Sequence, residues 1–278
     1  MPVDYSGTIF RLAYIDTNVV SEVSKRMEPE RSALINLFAS ERIAPCYSTL
    51  SVIEIMEKQD LFRDYHECFG ILPSLLVKGH DQLAEEEIKS YPDPIGIDPV
   101  ICSVWGLRDP HITDPREKLK KLIALSGADR QRDIWKRDIP VILNGMLSLV
   151  PNYPPAGDKY TKKEIKEFVR LINYQHLALQ FPSFIKTLES NGQTFDIDAF
   201  PSLKMRAFST FYRFYDNKQR KSKDSDVFDI LMSSVIPYID IAYLEGDQAE
   251  ILRKIKRIDP FISKLEVKTL ADLRPVTT

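Results

Sequence analysis

The sequence predicts an α/β protein, with a short and mainly parallel sheet in a core split along the chain and a large, mostly α-helical insertion between its two halves. Strand and helix signals alternate over the first 60 residues. A helix, strand, helix pattern returns over residues 225–257, and the span between carries helical periodicity broken by Pro and Gly. Residues 1–59 and 225–278 are therefore assigned to the core, and 60–224 to the insertion or subdomain. With 278 residues, 44% of them hydrophobic and 28% charged, the chain can bury one large core or two modest ones.

Residues 9–15 are apolar enough for a buried strand, and residues 17–39 follow as a helix interrupted near Pro29. IAPCYS, residues 43–48, reads as a second strand. In TLSVIEIMEKQDLFRDY, Leu50, Ile53, Met56 and Leu61 fall at helical spacings, with Ser48 or Thr49 able to cap the start. REKLKKLIAL and EIKEFVRLINYQHLALQF are strongly helical, while Pro92 to Gly96, Asp109 to Pro115 and Pro151 to Gly157 mark turns. Strand-like alternation is rare between residues 60 and 224. Asp226 to Ile236 then forms a short helix stopped by Pro237, IDIAYL a strand, GDQAEILRKIKR a helix, and Lys264 to Lys268 a last strand. No internal repeat or low-complexity tract interrupts this order.

No apolar run approaches the roughly 18 residues that a membrane span needs, and MPVDYSGTIF lacks a basic stretch followed by a hydrophobic one. The expectation is a cytoplasmic protein with no membrane partner. Cys46, Cys68 and Cys102 form no CxxC pair, and His66, His80, His111 and His176 are scattered. A zinc site of recognisable spacing is excluded, so any metal is expected to be held by oxygen. The formal net charge is −2, yet nucleic-acid binding depends on local patches. Lys159, Lys162, Lys163, Lys166 and Arg170 form one basic run, read first as a solvated helix face. Arg213, Lys218, Arg220, Lys221 and Lys223 form a second that leads directly into an acidic segment, and are the nucleic-acid-binding candidates.

Asp16 and Asn18 stand where the first strand ends and a helix begins, the usual place for chemistry in an α/β sheet and also a place for helix capping. Glu54 lies among Val52, Ile53, Ile55 and Met56. Asp226 and Asp229 share a helical face, Asp240 interrupts an apolar strand between Ile239 and Ile241, and Asp247 follows Glu245 and Gly246 at a strand-to-helix junction. Burying several carboxylates together requires positive charge, supplied by a metal ion or by basic side chains.

YIDTN, STLSVIE and DVFDILMSSVIPYIDIAYLEGD, covering roughly residues 9–58 and 225–257, resemble the PIN domain family of metal-dependent nucleases, in particular bacterial PIN-like members with long insertions. The resemblance implies a three-layer α/β/α fold whose acids gather at the C-terminal strand edge, bind Mg²⁺ or Mn²⁺ and hydrolyse phosphodiester bonds, RNA being favoured over DNA. By motif position it implies catalytic roles for Asp16, Glu54, Asp229 and Asp247, metal ligation by these four together with Asp240, and secondary roles for Asn18 and Asp226. Glu245 and Gly246 stand where many members carry a Thr before the last Asp, and Met232 where some carry a His. Carboxylates suit the chemistry because hard divalent cations prefer oxygen, polarise phosphoryl oxygens and lower the pKa of bound water. A toxin, an antiviral defence component and an RNA-processing enzyme are all compatible settings, with a homo-oligomer, an antitoxin or a defence protein as partner. The alternative is a non-catalytic PIN-like binding or scaffold module whose acids serve as caps and ion pairs. A hydrolase of the haloacid dehalogenase type ranks below both, because it needs a DxD arrangement and Asn18 holds the second position.

Overall fold

The computed structural model describes residues 3–5, 8–25, 28–57, 60, 72, 74–94, 96–103, 128–148, 160–216 and 223–273. β1 (Val3–Tyr5) and β2 (Thr8–Ile15) lead into α1 (Thr17–Lys25) and α2 (Glu28–Ser40), then β3 (Ile43–Ser48) and α3 (Thr49–Glu57). β4 (Leu75–Val77), α4 (His80–Ser90) and β5 (Val100–Ser103) come next. A helical stretch follows, with α5 (Ala128–Ser148), α6 (Lys162–Gln180), α7 (Pro182–Ser190) and α8 (Pro201–Thr210), the last running into a π-helical segment, Phe211–Tyr215. The chain closes with α9 (Asp224–Met232), a 3₁₀ segment (Ser233–Tyr238), β6 (Ile241–Tyr243), α10 (Gly246–Ile258) and β7 (Glu266–Lys268).

Six strands run in the order β5-β4-β3-β2-β6-β7, and β1 pairs with β2 off this path. β2 is parallel to both β3 and β6, as are β3 to β4 and β6 to β7, whereas β1–β2 and β4–β5 are antiparallel. The sheet is therefore mixed, with a parallel centre. Side chains alternate across it, as strand geometry requires. Leu12 and Tyr14 of β2, Ala44 and Cys46 of β3 and Ala242 of β6 enter one core with Phe168, Phe208, Ile230 and Leu252 from α6, α8, α9 and α10. Ala13, Ile15, Ile43, Tyr47, Ile241 and Tyr243 enter another with Val20, Phe38 and Ile53 from α1, α2 and α3. Helices thus cover both faces, which is why the central strands read as continuous apolar runs.

The boundary expected at residue 60 is corrected. β4 and β5 lie inside the span assigned to the insertion, yet they extend the sheet beyond β3. β4 is three residues, Leu-Leu-Val, buried throughout, so it offers no alternation to separate it from a helical segment. The helices of that span share their core with β2 and β6. Glu87 of α4 fastens them further, because its buried carboxylate accepts from the Ser202 backbone N–H at 2.6 Å, the Ser202 hydroxyl at 2.7 Å and the Tyr238 hydroxyl. REKLKKLIAL and the turns expected at Asp109 to Pro115 and Pro151 to Gly157 lie outside the described residues. Among the described residues no helix is long and apolar enough to cross a membrane.

Candidate active site

Because β2, β3 and β6 are parallel, the helices that follow them all begin at one edge of the sheet. Asp16 stands directly after β2. Its backbone N–H donates to the Tyr243 carbonyl at 3.0 Å, and its carbonyl accepts from the Val20 N–H at 3.0 Å, so the residue joins sheet pairing to the first turn of α1. The Asn18 N–H donates to its carboxylate, the capping bond expected from Asp-Thr-Asn. Asp16 Oδ2 and the neighbouring Thr17 Oγ1 are buried and have no hydrogen-bond partner among the described residues. A carboxylate oxygen left in that state is costly unless something else satisfies it. After β3, Ser48 Oγ accepts from the Ser51 N–H at 3.0 Å and starts α3, which carries Glu54.

A cavity of about 520 Å³ opens at this edge. Asp16, Thr17 and Asn18 enter it from the start of α1, Glu54 from α3, Asp229 from α9, and Glu245 and Asp247 from the start of α10. The four expected catalytic acids, Asp16, Glu54, Asp229 and Asp247, thus share one cavity although they are separated by up to 231 residues in the chain. Burial pushes the Asp16 carboxyl up to about 7, helped by the negative charges of Asp229, Glu245 and Glu54. Burial also raises Asp229, against the opposing pull of Arg213 and a hydrogen bond from Gln248. These mutual influences place the acids in one electrostatic neighbourhood.

Other expected members fall elsewhere. Asp240 precedes β6, at the opposite end of that strand from the cavity, and its Oδ2 accepts the Leu12 backbone N–H at 2.8 Å. It is corrected from metal ligand to strand-pairing residue. Asp226 accepts the Lys223 N–H at 2.8 Å at the start of α9, and its other oxygen lies 3.5 Å from Arg213 Nε. Its secondary role is that of a cap and counter-ion. Arg213 lines the cavity wall but is 5% exposed and donates to Asp229 Oδ2 at 2.6 Å, so it is corrected from a surface contact for nucleic acid to an internal partner of acids. The cation that Asp226 and Asp229 require is in this structure a guanidinium. Lys223 is exposed and lines the cavity, whereas Lys218, Arg220 and Lys221 lie outside the described residues. In the other basic run Lys166 pairs with Asp259 at 3.2 Å and Arg170 with Glu167 at 2.7 Å.

Sequence reasoning missed Glu245, Gln248 and Lys136 as parts of the wall. Glu245 was legible in principle: it directly precedes α10 shortly after β6, as Asp16 directly precedes α1 after β2. Lys136 sits on α5, far from any motif, and only the fold brings it near. Met232 accepts the Ser51 hydroxyl at its sulfur, 3.3 Å away, beside the acids.

The donor set suits Mg²⁺ or Mn²⁺ in kind, since it is all oxygen and includes the orphaned Asp16 Oδ2. Among the described residues, no three acids, histidines or cysteines stand close enough to enclose an ion between them. Comparisons with protein-family models, with curated proteins and with solved structures found no match.

Proposed function

We propose that the chain is a PIN-like, metal-dependent nuclease that hydrolyses phosphodiester bonds, RNA in preference to DNA. The observation that carries this reading is the gathering of Asp16, Glu54, Asp229, Glu245 and Asp247 around one cavity, with a buried Asp16 oxygen that has no hydrogen-bond partner among the described residues. Asp16 and Asp229, with Glu54, Glu245 and Asp247 lining the same cavity, are the residues that would hold Mg²⁺ or Mn²⁺. The ion supplies Lewis acidity at a phosphoryl oxygen and a more acidic water.

The chain's own side chains do the rest. Arg213 donates to the Asp229 carboxylate at 2.6 Å and Gln248 also favours its charged form, which holds that acid ionised at the cavity wall. Lys136 and Lys223, on the same wall, offset the acids' repulsion of a polyanion. Leu50, Ile53 and Phe228 give the cavity an apolar side that holds back bulk water and strengthens the charges within it. The test is incubation of the full chain with labelled RNA and with single- and double-stranded DNA, in Mn²⁺, Mg²⁺ or EDTA. Metal-dependent cleavage with RNA cut fastest is expected, and no cleavage of any substrate with either metal would refute the proposal.

A non-catalytic scaffold is the second reading. One observation favours it: Arg213 already neutralises Asp229, as a structural ion pair would.

A further inference from the structure

Away from the acids, a second cavity of about 330 Å³ opens among α4, α5, α6 and α8. Arg206 of α8 lines it and is 7% exposed. Its Nη1 donates to His80 Nε2 at 2.8 Å and lies 3.2 Å from His176 Nδ1. Among the described residues the guanidinium has no carboxylate within ion-pair distance, and its Nε and Nη2 groups make no hydrogen bond. The negative charges that act on it are Asp81, on the exposed rim, and Glu87, whose carboxyl is pushed up to about 7 by burial and is engaged by Ser202 and Tyr238.

The two histidines do not compensate it. Burial and the charge of Arg206 push His80 well below its ordinary range and His176 down to about 2, so both rings are neutral. His80 spends Nε2 as an acceptor toward Arg206, which leaves Nδ1–H to donate to Ser234 Oγ at 3.1 Å. Both ring nitrogens of His176 lie near Arg206 Nη1, Nδ1 at 3.2 Å and Nε2 at 3.4 Å, and the neutral ring carries a single N–H. A buried guanidinium without a carboxylate is expensive to maintain. Its free edge matches the oxygens of a phosphate, which accept paired N–H donors from arginine. Ile142, Ile172 and Leu231 supply apolar walls, and Leu179, 74% exposed, adds an apolar side chain at the edge.

We infer that this cavity binds a phosphate monoester carried on an aromatic or apolar body, the nucleotide class, with Arg206 and His176 as donors to the phosphate. The volume lies at the lower end of the range for small-ligand sites, roughly 300–1,000 Å³, which suits one mononucleotide. Asp81 stands on the solvent side, where screening weakens its repulsion. Two sources share this chemistry, a free mononucleotide and the phosphorylated end of a strand. The second is within reach of the acids: Arg206 and Arg213, which line the two cavities, are seven residues apart on one helical run, about 10 Å at ~1.5 Å per residue.

Isothermal titration of the full chain in EDTA, with adenosine 5′-monophosphate, adenosine, and a short oligonucleotide with and without a 5′-phosphate, tests the inference. Phosphorylated ligands should bind about tenfold more tightly than their unphosphorylated counterparts, and Arg206→Met should remove that difference. His176→Gln, at a half-buried ring, should reduce it severalfold, and carries the test should Arg206→Met fail to fold. Binding by the mononucleotide identifies a free ligand, and binding by the phosphorylated oligonucleotide alone identifies a strand end. Equal affinities with and without phosphate, no binding by any phosphorylated ligand, or a His176→Gln variant indistinguishable from the parent would each overturn it. EDTA keeps the acidic cavity free of its cation, so failure here leaves the nuclease reading standing, and failure of cleavage leaves this site standing.

Discussion

The Asp16 carboxyl ionises near 3.8 in an ordinary setting and near 7 in the folded chain, where burial and three neighbouring acids oppose its charge. Between those values the unfolded chain has lost a proton that the folded chain retains. The contribution of this group to stability is therefore intact below about pH 4 and is lost as pH rises through about 7. At ~1.4 kcal/mol per pH unit, the loss is on the order of 4 kcal/mol. Asp16→Asn keeps an oxygen for the Asn18 N–H and has no proton to lose, so denaturant melts should find it as stable as the parent near pH 4 and more stable above pH 7. Parallel stability profiles for the two proteins would show that Asp16 is not held in this state. Arg213 makes a second residue-scale case. Arg213→Met removes the guanidinium beside the buried Asp226 and the half-buried Asp229, and a destabilisation of about 3 kcal/mol is expected in the same melts. A surface residue that only touched nucleic acid would cost almost nothing.

Asp240 shows how an element's direction decides the role of a residue within it. In IDIAYL an apolar strand and an acid were both legible, but the acid comes first, and a parallel strand delivers chemistry from its far end. Asp240→Ala removes the acceptor of the Leu12 N–H in the middle of β2 and should destabilise by about 1–3 kcal/mol. Cleavage per folded molecule should stay at the parent level, and a loss of activity in a fully folded Asp240→Ala sample would return that residue to the site. The strand-to-helix junctions after β2 and β3 were readable because apolar run, capping residue and helical periodicity coincide there. β4 was not, because three buried residues carry no period. Arg213 was misplaced for a related reason: it was grouped with the charges that follow it, whereas Phe211, Tyr212, Phe214 and Tyr215 around it mark a buried helical segment.

At the scale of the whole molecule, four distant stretches of sequence bring acids to one edge of a sheet, and that convergence was the part of the site the sequence motifs could suggest. Lys136 escaped because only tertiary packing puts it in the same wall, whereas Glu245, directly before α10, was legible and was passed over. Such an acidic cavity should make stability depend on divalent cations. Added Mn²⁺ should raise the melting temperature of a metal-free sample, through preferential binding to the folded chain, and should raise that of Asp16→Asn far less. A melting temperature indifferent to millimolar Mn²⁺ would favour the scaffold reading. The most direct measurement is the rate of Mn²⁺-dependent cleavage of labelled RNA by the parent and by Asp16→Asn, purified in parallel and shown to be folded. Cleavage by the parent that EDTA abolishes, with a loss of about a hundredfold or more in the variant, on the order of 3 kcal/mol of barrier, is the expected result. Equal rates in the two proteins, or an inert parent, would contradict it.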